Sequence, residues 1–187
     1  MSPWLRLLRV VLLRDRRRVD VLATTRVRLR VWPNDLDFNR HVNNGRYLSL
    51  ADLGRIDWFL RTGQLQLALR QGAFPVGGDA NAKFRRDLRV FQSFEIRSRI
   101  VGWDERWGFL EHRFLRGGRV VAVVAVRGMF RGANGAVPPS AFLVALGAPR
   151  ESPPLPEWLR SWNGASEELS AVLRAEEVTE PAGNLSE

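Results

Sequence analysis

The chain contains no cysteine, which excludes disulfides, a thiol nucleophile and thiolate metal sites together and leaves a reducing compartment open. Lysine is almost absent: of 29 basic residues only Lys83 is one, and it follows an alanine, so there is no P-loop to cradle a triphosphate. No G-x-S-x-G occurs, which removes the serine-hydrolase elbow. The only two histidines, His41 and His112, lie far apart in the sequence, and no zinc constellation can be assembled from them, so no metal is expected. Long apolar runs are missing as well. The stretch Trp4 to Leu13 is interrupted by Arg6 and Arg9 and has no small-residue cleavage site, whereas a spanning helix needs about 20 mostly apolar residues. Secretion is therefore disfavoured, and the expected location is the cytoplasm, with the inner membrane surface as the alternative.

What is present fits one globular domain with a sizeable core: 187 residues, 45% hydrophobic and 26% charged. The net charge of +9 favours anionic partners in general, such as coenzyme phosphates, acyl-carrier protein, anionic lipid or nucleic acid. Nucleic acid is set aside because there is no zinc-finger spacing, no RNP-like motif and no long basic helix.

Three segments are expected. Residues 1–20 form a basic amphipathic stretch, Trp4-Leu5-Arg6-Leu7-Leu8-Arg9-Val10 and onward, which reads either as a helix on an anionic membrane surface or as one packed on its own domain or a partner. Residues 21–148 hold the domain. Thr25, Val27, Leu29 and Val31 alternate with arginines, a strand with one buried face. Asn44 to Thr62 has a helical pattern that Gly63 stops; at about 1.5 Å per residue it is nearly 30 Å long, and apolar residues on most of its surface imply that it is wrapped. After a glycine-rich link at Gly72, Gly77 and Gly78 come four strand-like runs, residues 82–90, 94–101, 107–116 and 119–131, the last central in the sheet. A short helix follows from Pro138-Pro139 through Leu146. The class is α+β, a long central helix with an antiparallel meander wound about it. Residues 149–187 read as a proline-rich linker, a short helix with Trp158 and Trp162, and a mobile acidic tail from Ser166.

Chemistry concentrates in Trp32 to Tyr47. Pro33 breaks the strand, Asn43 or Asn44 can accept from the first orphan amides of the helix, and its N-terminus offers unpaired N–H groups and a positive dipole end. Asp37 and His41 add groups that activate or hold water. Ester or thioester cleavage needs a base or nucleophile, oxyanion donors and an acyl slot; Asp37, the amides from Asn43 to Arg46 and the apolar flank of the helix are the candidates. Turn and capping work is the plainer reading of Asp37 and Asn39. His112, mid-strand with no acid–amide cluster around it in sequence, is expected to be structural.

The run Asp37-Phe38-Asn39-Arg40-His41-Val42-Asn43-Asn44, with Tyr47 ten residues after Asp37, resembles the signature of hotdog-fold acyl thioesterases, both the 4-hydroxybenzoyl-CoA type and the acyl-ACP type. The resemblance continues through Phe84-Arg85-Arg86 and covers roughly residues 24 to 132. It implies the hotdog fold and hydrolysis of acyl-CoA or acyl-ACP, with Asp37, Asn39 and His41 as catalytic residues. Asn43, Asn44, Tyr47, Arg85 and Arg86 are the substrate-binding candidates, the two arginines for coenzyme phosphates. No cofactor is expected beyond the coenzyme A or phosphopantetheine of the substrate, and a homodimer or tetramer is implied. Hotdog hydratases are the near rival, but their histidine usually stands five residues after the aspartate, and here the offset is four. A non-catalytic acyl- or lipid-binding protein, anchored through residues 1–20, is the other alternative.

Overall fold

A computed structural model describes residues 3–13 and 15–179. Its centre is a helix, α2 (Asn44–Thr62), whose ends are set by two local signals. The side chain of Asn43 caps the start by accepting from the Gly45 amide, and Gly63, at φ 83°, closes the end with its N–H on the Phe59 carbonyl. One side of α2 is buried along its length by Tyr47, Leu50, Leu53, Gly54, Trp58 and Phe59, while Leu48 is exposed and Ile56 and Leu60 are half-buried. The helix is therefore covered on part of its surface, and the complete wrapping expected from its sequence is not found among the described residues.

The sheet carries strands β1 (Thr25–Arg30), β2 (Phe74–Phe84), β3 (Ser93–Trp103), β4 (Gly108–Arg116), β5 (Arg119–Gly132) and β6 (Gly135–Val137), all pairs antiparallel, in the order β1-β3-β4-β5-β2 with β6 folded onto β5. The meander β3-β4-β5 was legible, and β5 does have neighbours on both sides. The run expected at residues 82–90 is a correction. Strand β2 starts eight residues earlier, includes Gly77 and Gly78, and ends at Phe84; Arg85 to Gln92 form a loop. Proline and glycine are tolerated there because β2 is an edge strand, with a register shift between Gly77 and Asp79. Gly78 has a packing reason too: a Cβ on it would lie 2.5 Å from the Trp107 ring.

Two apolar clusters fill the space between α2 and the sheet. One gathers Tyr47 and Leu50 with Val31, Leu88, Phe94 and Phe114, and the other gathers Trp58 and Phe59 with Ile100, Phe130 and Phe142. Helix α1 (Pro3–Leu13) docks on the first cluster through Val10 and Leu7, and its Arg6 is buried. Short helices α3 (Gln64–Arg70) and α4 (Pro139–Ala145) complete this unit, α4 within the span expected from the proline pair.

From Pro154 onward the described residues form a second compact unit. It is one helix, α5 (Glu157–Thr179), rather than a short tryptophan helix followed by a mobile tail. The tail's Glu, Ala, Leu and Arg residues are strong helix formers, and their helix preference prevails over the low hydrophobicity that suggested disorder. Residues 180–187, the rest of the expected tail, lie outside the described residues.

Candidate functional site

The strand β1 ends at a 3-10 turn, Pro33–Asp35, and the chain then closes a tight loop before α2. Leu36 and Val42 form a bridge across that loop, the Asp37 N–H donates to the His41 carbonyl at 2.9 Å, and the Arg40 N–H returns to the Asp37 carbonyl at 3.0 Å. Within it the Asp37 carboxylate accepts from the Asn39 amide at 2.9 Å and from the His41 amide at 3.4 Å. These are the bonds of a turn-forming aspartate. Yet Asp37 stays partly exposed and has a second oxygen beyond those two bonds. Arg40 holds φ at 61°, the left-handed conformation that non-glycine residues adopt at a cost and that clusters at functional loops.

The other expected residues sit around this turn. His41 directs its imidazole to Asp87, not Asp37: Nε2 lies 3.5 Å from Oδ2, and His41 also bridges Arg89 through its backbone. Asn39, Asn43 and Asn44 are exposed. Of the amides expected to hold an oxyanion, Asn43 N–H donates to the Asp35 carbonyl, Gly45 N–H to the Asn43 side chain and Arg46 N–H to the Asn43 carbonyl. These three are occupied by the cap itself, which narrows the candidate donor in the run to Asn44. Tyr47 is buried, its ring 5.2 Å from Phe84 and 5.1 Å from Phe114. Burial, and then the charge of Asp87, pushes its phenol up to about 12, so it remains a neutral hydroxyl. Arg85 and Arg86 follow the end of β2, exposed, with both amides on the Val121 carbonyl. The contacts of Tyr47 with Phe84 and of His41 with Asp87 bring this basic edge beside the Asp37 turn.

Two carboxylates were missed. Asp87 carries no signal in the sequence beyond following two arginines. Asp35, in Asp35-Leu36-Asp37, differs from its neighbour by burial: it is 1% exposed and held by Arg6 and Arg46. Burial alone would raise its carboxyl, but hydrogen bonds from Arg6, the Trp32 amide and Arg46, with the Arg6 charge, hold it below the ordinary carboxylate value.

An apolar cavity of about 180 Å³ opens further along α2, lined by Ile56, Phe59, Val76, Leu110, Val126 and Phe130 among others. It starts at Arg55, eight residues past Tyr47, about 12 Å by helical rise. His112, by contrast, is fully buried, its Nδ1 2.8 Å from Ser98 Oγ, beneath Gly54. Among the described residues no three His, Cys, Asp or Glu side chains are grouped to hold a metal ion.

A family model described as the thioesterase-like superfamily matches residues 31–163. The chain belongs to that superfamily. A relative, Protein THEM6 of Xenopus laevis, is 36% identical over 148 residues, covering 78% of this chain and 70% of its own. Among solved structures, the probable thioesterase YbaW from Escherichia coli aligns with a TM-score of 0.61 at 22% identity, over 65% of this chain and 94% of that one. The gentisyl-coenzyme A thioesterase BH1999 aligns with a TM-score of 0.58 at 19% identity, over 66% and 100%. The curled antiparallel sheet and its helices are the hotdog arrangement of these thioesterases.

Proposed function

We propose that the chain hydrolyses acyl thioesters of coenzyme A or of acyl-carrier protein, with Asp37 as the base or nucleophile. The observation that carries this is the placement of a partly exposed carboxylate at the mouth of α2, beside an edge carrying Arg85 and Arg86 and upstream of an apolar cavity. In the general-base route a water oxygen attacks the acyl carbon while Asp37 takes its proton, and the tetrahedral oxyanion gathers charge near the Asn44 amide and the helix N-terminus. Collapse breaks the C–S bond, and the proton passes to the leaving thiolate. Arg85 and Arg86 suit the phosphates of the carrier, and Asn39 and His41 border the reacting group, with Asp87 setting the orientation of the imidazole. Tyr47 serves as a wall beneath the carbonyl. Burying a thiol-release assay's substrate in the wrong slot would give no signal, so acyl chain length is varied on both carriers. Absence of turnover above background on all of them refutes the proposal, as does full activity in Asp37→Asn, where loss of the base should cost about a hundredfold.

A second copy of the chain completes the architecture in this reading. Strand β2 is an edge with Phe74 and Val76 exposed, and one flank of α2 is uncovered, whereas long apolar edges are normally paired. Pairing β2 to β2 about a two-fold axis gives a dimer, which can double to a tetramer. Sedimentation should show a mass at least twice 21.3 kDa.

One observation favours a second reading, contact with an anionic membrane surface. Helix α1 packs by one face yet exposes Trp4, Leu5, Leu8, Leu12 and Leu13, with Arg9 and Arg16 to Arg18 nearby. Among the described residues no helix is long and apolar enough to cross a membrane. Flotation with anionic vesicles, with and without residues 1–20, decides it: no binding by the whole chain, or equal binding by the shortened one, removes this reading.

A further inference from the structure

Asp35 stands two residues from Asp37, and three separate parts of the chain converge on its carboxylate. Arg6 of α1 approaches it end-on with both terminal nitrogens, 2.8 Å to Oδ1 and 2.5 Å to Oδ2. The Trp32 amide at the end of β1 donates to Oδ2 at 2.8 Å, and Arg46 in the first turn of α2 reaches Oδ1 from Nε and Nη2 at 3.3 and 3.2 Å. The Asp35 carbonyl accepts from Asn43, the residue that caps α2. One buried group thus ties together both stems of the loop that presents Asp37 and His41.

Arg6 is the strongest of these ligands and the most distant in sequence. It lies outside the residues matched by the superfamily model. At 2% exposure, with both terminal nitrogens committed to Asp35, it has no reach toward a substrate. Its removal would leave a buried carboxylate with one amide and an Arg46 that is 26% exposed, and a buried charge that loses its partner is strongly destabilised. The strain would fall on the loop stems, because the Asn43 amide and the Leu36–Val42 bridge are the next bonds along the chain.

We propose that Arg6 is a positioning residue for the reaction at Asp37. By neutralising Asp35 it fixes the backbone that sets Asp37, His41 and the start of α2 relative to one another. This rests on the reading of Asp37 as the reacting carboxylate.

The test uses the full chain and a two-part readout, acyl-thioester turnover and amide hydrogen exchange over residues 36–46. In Arg6→Ala, kcat should fall on the order of a hundredfold, the scale of a small misplacement of a reacting group, with KM changed little. Exchange at the loop amides should quicken about tenfold while β3 to β5 keep their protection. Arg6→Lys keeps the charge but not the two-pronged geometry and should recover part of kcat. Val10→Ala loosens the packing of α1 without touching Asp35 and should leave kcat near the wild-type value. Unchanged kcat in Arg6→Ala, or an equal fall in Val10→Ala, overturns the proposal. Should Arg6→Ala fail to fold, the paired replacement Arg6→Met with Asp35→Leu, apolar and of similar volume, decides: a folded protein with lost kcat supports positioning, and one with full kcat overturns it. If the wild type cleaves no thioester, the functional reading fails by itself, and exchange in Arg6→Lys still reports on the Arg6 link: loop protection equal to wild type there overturns it, and selective loosening upholds it.

Discussion

Acidification from pH 7.5 to 5 should destabilise the fold by a step assignable to one residue, His112. Its imidazole is fully buried in β4, with Nδ1 on Ser98 Oγ and, among the described residues, no partner at Nε2. Burial, and then the nearby Arg55 charge, pushes its pKa down to about 3. The unfolded chain, with an ordinary value of about 6.5, takes up a proton that the folded chain refuses, so stability is whole above about pH 6.5 and declines as pH falls toward 3. Each pH unit in that window is about 1.4 kcal/mol, so at pH 5 the loss is about 2 kcal/mol. For a chain of this size that is about 4–8 °C in Tm. Urea or thermal unfolding at a series of pH values measures it, with His112→Gln as the comparison. Glutamine fills similar volume and can still meet Ser98, at a fixed cost of about 1–3 kcal/mol for imperfectly satisfied polar atoms, but it does not titrate. The slope between pH 6.5 and 5 should be present in the wild type and flattened in the variant. Equal slopes in both, or none in either, would refute the assignment of a neutral buried imidazole.

Gly54→Ala should destabilise by about 1–3 kcal/mol despite alanine's better helix propensity, because its Cβ would lie 2.3 Å from Ser98 Oγ and 3.0 Å from Ile96 Cγ2; denaturant midpoints check this. Below about pH 4 a second acid-sensitive step should appear from Asp35, whose lowered pKa stabilises the fold above its unfolded value and ceases to do so as pH falls through the folded one. Asp35→Asn should abolish that step while lowering stability at neutral pH. Replacing Arg85 and Arg86 together by alanine should raise KM for acyl-CoA about tenfold, the scale of one or two charge-assisted contacts, and leave KM for an acyl-pantetheine without the nucleotide phosphates unchanged. Lysine at Val76, on the exposed edge of β2, should shift the mass seen by sedimentation toward the monomer.

The central helix was legible to the residue because each of its boundaries has a local chemical cause, a side-chain cap at Asn43 and a left-handed glycine at Gly63. Periodicity carried β1, β3, β4 and β5 in the same way, since each buries alternate or continuous apolar residues. Strand β2 was misread for the converse reason: most of its residues are exposed, and Pro75, Gly77 and Gly78 are punctuation in an interior strand but acceptable on an edge. What identifies an edge is the position of the other strands, which is a tertiary fact. The arginines of α1 show the same limit, because Arg6 and Arg9 are alike in sequence, yet the fold buries one and exposes the other.

The site divides along that line. Its polar turn could be located from residue types alone, since Pro33, the asparagines and the apolar run after them mark a strand end, a turn and a helix start. The roles within it could not be ordered from sequence. Asp35 and Asp37 differ by one intervening leucine and by the entire environment: the first is sealed beneath two guanidinium groups, the second keeps an oxygen toward the exterior. In the proposed reaction the reacting carboxylate must stay reachable and hold still, and it cannot also neutralise its own supports. The chain gives the ion pairing to Asp35, while among the described residues the bonds to the Asp37 carboxylate come from the Asn39 and His41 amides, which restrain its position.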